Sequence, residues 1–108
     1  MTNDQLVFAW SKAKDYTDPG SYAAALEVSW AFTGIPEAPE GTKISHQLRR
    51  VWDAYHMTIA DMRATTGLSQ RQFGDSLLIP YRTVQNWEHR GGCPEYTRLF
   101  IARWIGLI

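Results

Sequence analysis

Between Gly67 and Gly92 the chain has room for two short helices and almost nothing between them, and this spacing constrains its fold more than any other feature. Ser69 belongs to the residue types that cap helices with a side-chain oxygen, and Phe73 and Leu77 follow it one turn apart. Leu68 to Leu77 therefore reads as a short amphipathic helix. Leu78-Ile79 forms the connection. Pro80 lacks an N–H and has its φ fixed near the helical value, so it fits the first turn of a second helix. That helix runs through Tyr81-Arg82-Thr83-Val84-Gln85-Asn86-Trp87-Glu88 until Gly91-Gly92 stops it. Two short helices joined by so tight a turn must cross steeply. At about 100° per residue the second helix separates into two faces. Thr83, Val84 and Trp87 point one way and are expected inside. Tyr81, Arg82, Gln85, Asn86 and His89 point the other way, with no aliphatic residue among them.

The rest of the chain also reads as helix, which predicts an all-α fold. Leu6, Ala9, Trp10 and Ala13 recur at helical spacing between about Asn3 and Lys14, and Tyr16-Thr17-Asp18-Pro19-Gly20 closes that helix. A second helix, about Ser21 to Phe32, contains Ala23, Ala24, Ala25 and Leu26. Gly34 to Gly41, with Pro36 and Pro39, is the expected linker. Beyond it Ile44, Leu48, Val51, Trp52 and Tyr55 fall on one stripe of a helix from about Thr42 to Tyr55. Thr58 is placed to cap the next helix, which ends at Thr66-Gly67. The reading divides the chain into an N-terminal helical extension, residues 1–42, and a unit of residues 43–108 that holds the two short helices.

Charge divides the same way. The formal net charge is zero, but residues 1–42 carry Lys12 and Lys14 against six acids, a net of −4, and residues 43–108 carry nine basic residues against five acids, a net of +4. Eight of those nine are Arg, whose planar fork matches phosphate and guanine edges better than Lys does. Arg pairs with guanine O6 and N7, and Gln or Asn with adenine N6 and N7. The polar face Tyr81, Arg82, Gln85 and Asn86 is therefore expected to read base edges of double-stranded DNA. Arg71, His89 and Arg90 flank it as phosphate contacts, since backbone contacts come from the edges of a reading helix.

Other chemistries have little to rest on. Paired carboxylates, a nucleophile elbow, a phosphate-cradling glycine loop and a Ser/His/Asp arrangement are all missing from the sequence, so no enzyme and no cofactor are expected. His89 and Cys93 stand four apart, but Gly91-Gly92 breaks the helix between them, and no metal site is expected. Cys93 is the single cysteine, so no intrachain disulfide can form, which fits a reducing cytoplasm. The N-terminus lacks a secretion signature, and the most apolar stretch, Leu99 to Ile108, is interrupted by Arg103. A soluble cytoplasmic protein with no membrane partner is the expectation.

The last helix, about Pro94 to Ile105, has two apolar stripes. Tyr96, Leu99, Phe100 and Leu107 form one, and Ile101, Trp104 and Ile108 another, about 120° away. A helix in a small monomer needs one buried face, so Ile101, Trp104 and Ile108 are assigned to the interface of a symmetric homodimer.

Through Gly67-Leu68-Ser69-Gln70, Phe73, Pro80, Arg82-Thr83-Val84 and Asn86-Trp87-Glu88 the chain resembles the lambda-repressor-like, or XRE-type, helix-turn-helix family, over roughly Thr58 to Ile105. The resemblance implies a helix-turn-helix bundle, here with an extra N-terminal helical pair, and a sequence-specific transcriptional regulator, expected to be a repressor of bacterial or phage type. It gives Gln70 a contact to the DNA backbone and a role in supporting the reading helix. It places Tyr81, Arg82, Gln85 and Asn86 toward the major groove, and Trp87 and Glu88 in the core and helix end. The chain departs from the family at two positions. Gly74 stands where the family prefers Ala, a change expected to be sterically harmless and to cost about 1 kcal/mol in helix propensity. Leu78 stands where the family usually has Gly, so a strained or reshaped turn is expected. The competing expectation is a protein-interaction module on the same scaffold, antitoxin-like or a phage-encoded inhibitor, with a protein partner held by the acidic residues 1–42.

Overall fold

The computed structural model describes residues 1–34 and 43–108, and every regular element among them is a helix. Apart from Gly34, the expected linker lies outside the described residues. The helices sort into two units, Met1–Tyr55 together with Ile108, and His56–Leu107.

In the first unit, α1 (Asn3–Lys12) begins with a reciprocal cap. The Thr2 hydroxyl accepts from the Gln5 N–H at 3.1 Å, and the Gln5 side chain accepts from the Thr2 N–H at 2.7 Å. Two of the N–H groups that a helix start leaves over are thereby satisfied. The chain then tightens into a 3₁₀ turn, Ala13–Asp15. α2 (Pro19–Glu27) starts where Asp18 accepts from the Ser21 N–H at 2.8 Å and Pro19 occupies the first turn. It stops at Glu27 and does not reach the expected Phe32. Both the N–H and the hydroxyl of Ser29 land on the Leu26 carbonyl, at 3.0 and 2.6 Å, replacing the bonds that would continue the helix. Ala31 and Phe32 then turn back into the core, where the Gln5 amide donates to the Ala31 carbonyl at 2.9 Å.

α3 (Ile44–Tyr55) buries Leu48, Val51 and Ala54 and packs on α1 and α2. The Trp52 indole N–H donates to the Tyr16 carbonyl at 3.1 Å, and the Tyr55 ring meets Trp10 edge-on at 5.2 Å. The expected division at residue 43 therefore differs from the one the contacts make, at Tyr55. The stripe of α3 supplies the third wall that a helical pair lacks, so the N-terminal part is a three-helix unit.

The second unit holds α4 (Ile59–Thr66), α5 (Gln70–Leu77), α6 (Tyr81–Arg90) and α7 (Glu95–Trp104). Thr58 with Asp61 caps α4 reciprocally, and Ser69 with Gln72 does the same for α5. Gly67, in the left-handed region at φ 71°, ends α4. Pro80 and Pro94 each stand one residue before a helix, as its cap, and not within its first turn. Ile59, Met62, Phe73, Val84, Ile101 and Ala102 are buried.

The connection from α5 to α6 follows from its hydrogen bonds. The Leu78 N–H reaches the Asp75 carbonyl at 3.3 Å, and the Ile79 N–H reaches the Gly74 carbonyl at 2.9 Å. This pair of bonds is the Schellman ending, which requires a left-handed residue just past the helix. That residue is Leu78, at φ 58° and ψ 36°. An L-residue there costs about 1–2 kcal/mol. Leu78→Gly is expected to stabilise the protein by about 0.5–1 kcal/mol once the greater unfolded freedom of Gly is subtracted. Thermal denaturation checks this, and an unchanged or lower midpoint would contradict it.

The same turn corrects the expectation for Gly74. A Cβ on Gly74 would lie 2.7 Å from the Ile79 carbonyl oxygen and 3.3 Å from Cγ2 of Val84. Alanine is not harmless there, because the backbone of the turn lies directly against the helix.

Candidate nucleic-acid interface

α6 carries the residues singled out from the sequence, and its two faces are distinct. Val84 is fully buried, while Thr83 and Trp87 are half-buried. Arg82, Gln85, Asn86 and His89 are exposed. Arg90 is also exposed, in the last turn, where a cation is favoured by the helix dipole. Tyr81, at the start of α6, is half-buried, and the Arg71 guanidinium of α5 sits 4.2 Å above its ring centroid. This cation–π contact joins Tyr81, expected to read base edges, to Arg71, expected to grip a phosphate.

Behind the exposed face, α6 is fastened to α4 and α5 by one carboxylate. Arg63 Nε donates to Glu88 Oε2 at 2.7 Å and Arg63 Nη2 to Glu88 Oε1 at 3.0 Å, a bidentate pair. Arg63 Nη1 also donates to the Leu68 carbonyl at 3.1 Å, just before α5. Gln70 Nε2 completes the group by donating to Glu88 Oε1 at 3.2 Å. The Arg63 hydrogen bonds hold the Glu88 carboxyl below its ordinary pKa, with Gln70 adding to the effect and burial opposing it. The same hydrogen bonds raise Arg63. Sequence reading missed Arg63, because its partner lies 25 residues away and no local pattern links them.

The apolar faces of α7 fall differently from the expected stripes. Ile101 is fully buried and so is withdrawn from any interface between copies. Ile108 lies beyond Gly106, whose left-handed φ of 86° ends the helix as the Leu107 N–H turns to the Ala102 carbonyl, so it does not extend the stripe. Trp104 is exposed, but its companions are Phe100, stacked on it with ring centroids 6.0 Å apart, and Tyr96. A spacing of four residues, 96, 100 and 104, was the available signal.

Moving α3 to the first unit also changes the charge. Residues 56–107 hold six Arg against four acids, a net of +2. The Cys93 thiol is half-buried, and burial raises its pKa. Among the described residues no three His, Cys, Asp or Glu side chains gather to hold a metal ion, and no helix is long and apolar enough to cross a membrane. In comparisons with known proteins, the chain matches no family model, no curated protein and no solved structure.

Proposed function

We propose that the chain is a sequence-specific DNA-binding regulator of transcription, in which α5 and α6 act as a helix-turn-helix and α6 enters the major groove. One observation carries this reading. Arg82, Gln85 and Asn86 stand exposed on one side of a short helix whose opposite side is fixed by Val84 and Glu88. These are the side chains that pair bidentately with guanine and adenine edges, and a rigid helix presents them without an aliphatic neighbour on that face. Arg71, His89 and Arg90 flank them and grip phosphates. Gln70, tied to Glu88, sets α6 against α5 beside the backbone it contacts. Tyr81 carries Arg71 on its ring. Regulation follows from occupancy of the site.

Arg82→Ala is expected to weaken specific binding by about 1–3 kcal/mol and to relax preference at one base pair. Arg90→Ala is expected to weaken all sequences alike and to lower the salt slope by about 1. Fluorescence anisotropy on specific and random duplexes across a salt series separates the two. Equal binding of both duplexes by the parent and by Arg82→Ala would remove Arg82 from its role.

A second reading, a protein partner at the N-terminal unit, draws on a different observation. Val28 and Trp30 are exposed, with Trp30 packed on Phe8 at 5.3 Å between ring centroids. Binding there would be weakly salt-dependent, whereas the DNA contact falls steeply with salt.

A further inference from the structure

The turn after α5 and the outer face of α7 together form an apolar surface that the DNA contact does not use. Ser76, Leu77, Leu78, Phe100 and Trp104 line a groove of about 120 Å³. Tyr96 extends the same face of α7 by one turn. Leu78 is 93% exposed, Tyr96 77%, Trp104 64% and Phe100 55%. Leu78 combines two unfavourable features, an aliphatic side chain in water and a left-handed backbone. Glycine at this position would avoid both. A partner that covers Leu78 offsets both.

We propose that this face is where a second copy of the chain docks, giving a two-fold dimer. A buried aromatic side chain removes about 150–250 Å² from water, so the exposed parts of Tyr96, Phe100 and Trp104 amount to roughly 300–500 Å² per copy. With Leu78 and a polar rim, two copies together bury on the order of 1,200 Å², where specific interfaces begin. The face is also self-complementary. Tyr96, Phe100 and Trp104 are evenly spaced about Phe100, so two antiparallel α7 helices with Phe100 at the axis set each Tyr96 against the opposite Trp104. The stack of Phe100 on Trp104, 21° from parallel, holds both rings in place before docking, which lowers the ordering cost. The net charge of zero opposes self-association with no long-range repulsion. Each Leu78 then packs beside the aromatic rings of the opposite copy. This inference stands apart from the DNA reading and needs no duplex to test it.

Sedimentation equilibrium of the full chain, from micromolar concentration to about 1 mM, tests it, since even weak interfaces associate in that range. The expected result is a monomer–dimer equilibrium. Phe100→Asp, exposed in the monomer, should raise the dimer Kd at least about tenfold with an unchanged circular dichroism spectrum. Leu78→Gly should also weaken the dimer while the melting temperature of the dilute monomer rises. A Leu78 serving only the monomer would not give that split. Trp30→Ala, in the N-terminal unit, should leave the equilibrium unchanged. A parent chain that is monomeric throughout would overturn the proposal and leave the face to another protein. A dimer indifferent to both Phe100→Asp and Leu78→Gly would overturn it as well.

Discussion

Gly74→Val is expected to cost about 3 kcal/mol of stability, and Gly74→Ala about 1–2 kcal/mol. The distances explain the order. The first atom added to Gly74 meets the Ile79 carbonyl oxygen at 2.7 Å, closer than carbon and oxygen approach in folded proteins. That oxygen is backbone, in a turn already fixed by the Ile79 N–H on the Gly74 carbonyl and by the left-handed Leu78. Val84, the second neighbour at 3.3 Å, is itself buried. Neither can retreat without parting α5 from α6. Alanine recovers about 1 kcal/mol through its helix propensity, and valine recovers less while adding two more carbons. Urea denaturation measures both. An alanine variant as stable as the parent would mean that the turn is wider than described.

Glu88→Ala is expected to cost about 2–3 kcal/mol, because it leaves the Arg63 guanidinium and the Gln70 amide without the carboxylate that joins α4, α5 and α6. The group also predicts a pH dependence. The carboxyl of Glu88 is held below its ordinary value of 4.5 in the folded protein, chiefly by Arg63. An acid whose pKa is lower in the folded state binds fewer protons there than in the unfolded chain. Its contribution is therefore complete above pH 4.5 and is lost as the pH falls through the depressed folded value. The stability gap between the parent and Glu88→Gln should be full at pH 7 and should narrow in strong acid. A gap of zero at pH 7, or one that widens in acid, would contradict the role given to the ion pair. DNA affinity should fall in parallel, since α6 loses one of the contacts that set its position.

Features encoded locally were legible from the residues. Thr58 and Ser69 announce helix starts because a hydroxyl before a helix satisfies its first N–H groups, and Gly67 and Gly91 announce ends because a left-handed residue closes one. The outward face of α6 was legible because Val84 and Trp87 fix which side turns inward. What depended on distant partners was not legible. α3 has a clear apolar stripe, but the stripe does not say which helices it meets, and α1 and α2 proved to be its neighbours. Ile101 and Phe100 are adjacent apolar residues, and only packing decides that one is buried and the other exposed. The ion pair of Arg63 with Glu88 has no signature in either neighbourhood. At Gly74 and Leu78 local rules pointed to weak helix and strained turn. The cause is the Schellman ending, which brings the turn backbone against the helix.

Whether α6 reads DNA can be decided by selecting bound duplexes from a random pool with the full chain at low salt. The expected result is an enriched sequence, arranged as an inverted repeat with half-sites about one helical turn apart, or a multiple of it, if the dimer forms on DNA. Arg82→Ala, Gln85→Ala and Asn86→Ala should each erode that sequence at different base pairs. A pool that stays random, or an enriched sequence that none of the three substitutions alters, would contradict the assignment of α6 as the element that reads DNA.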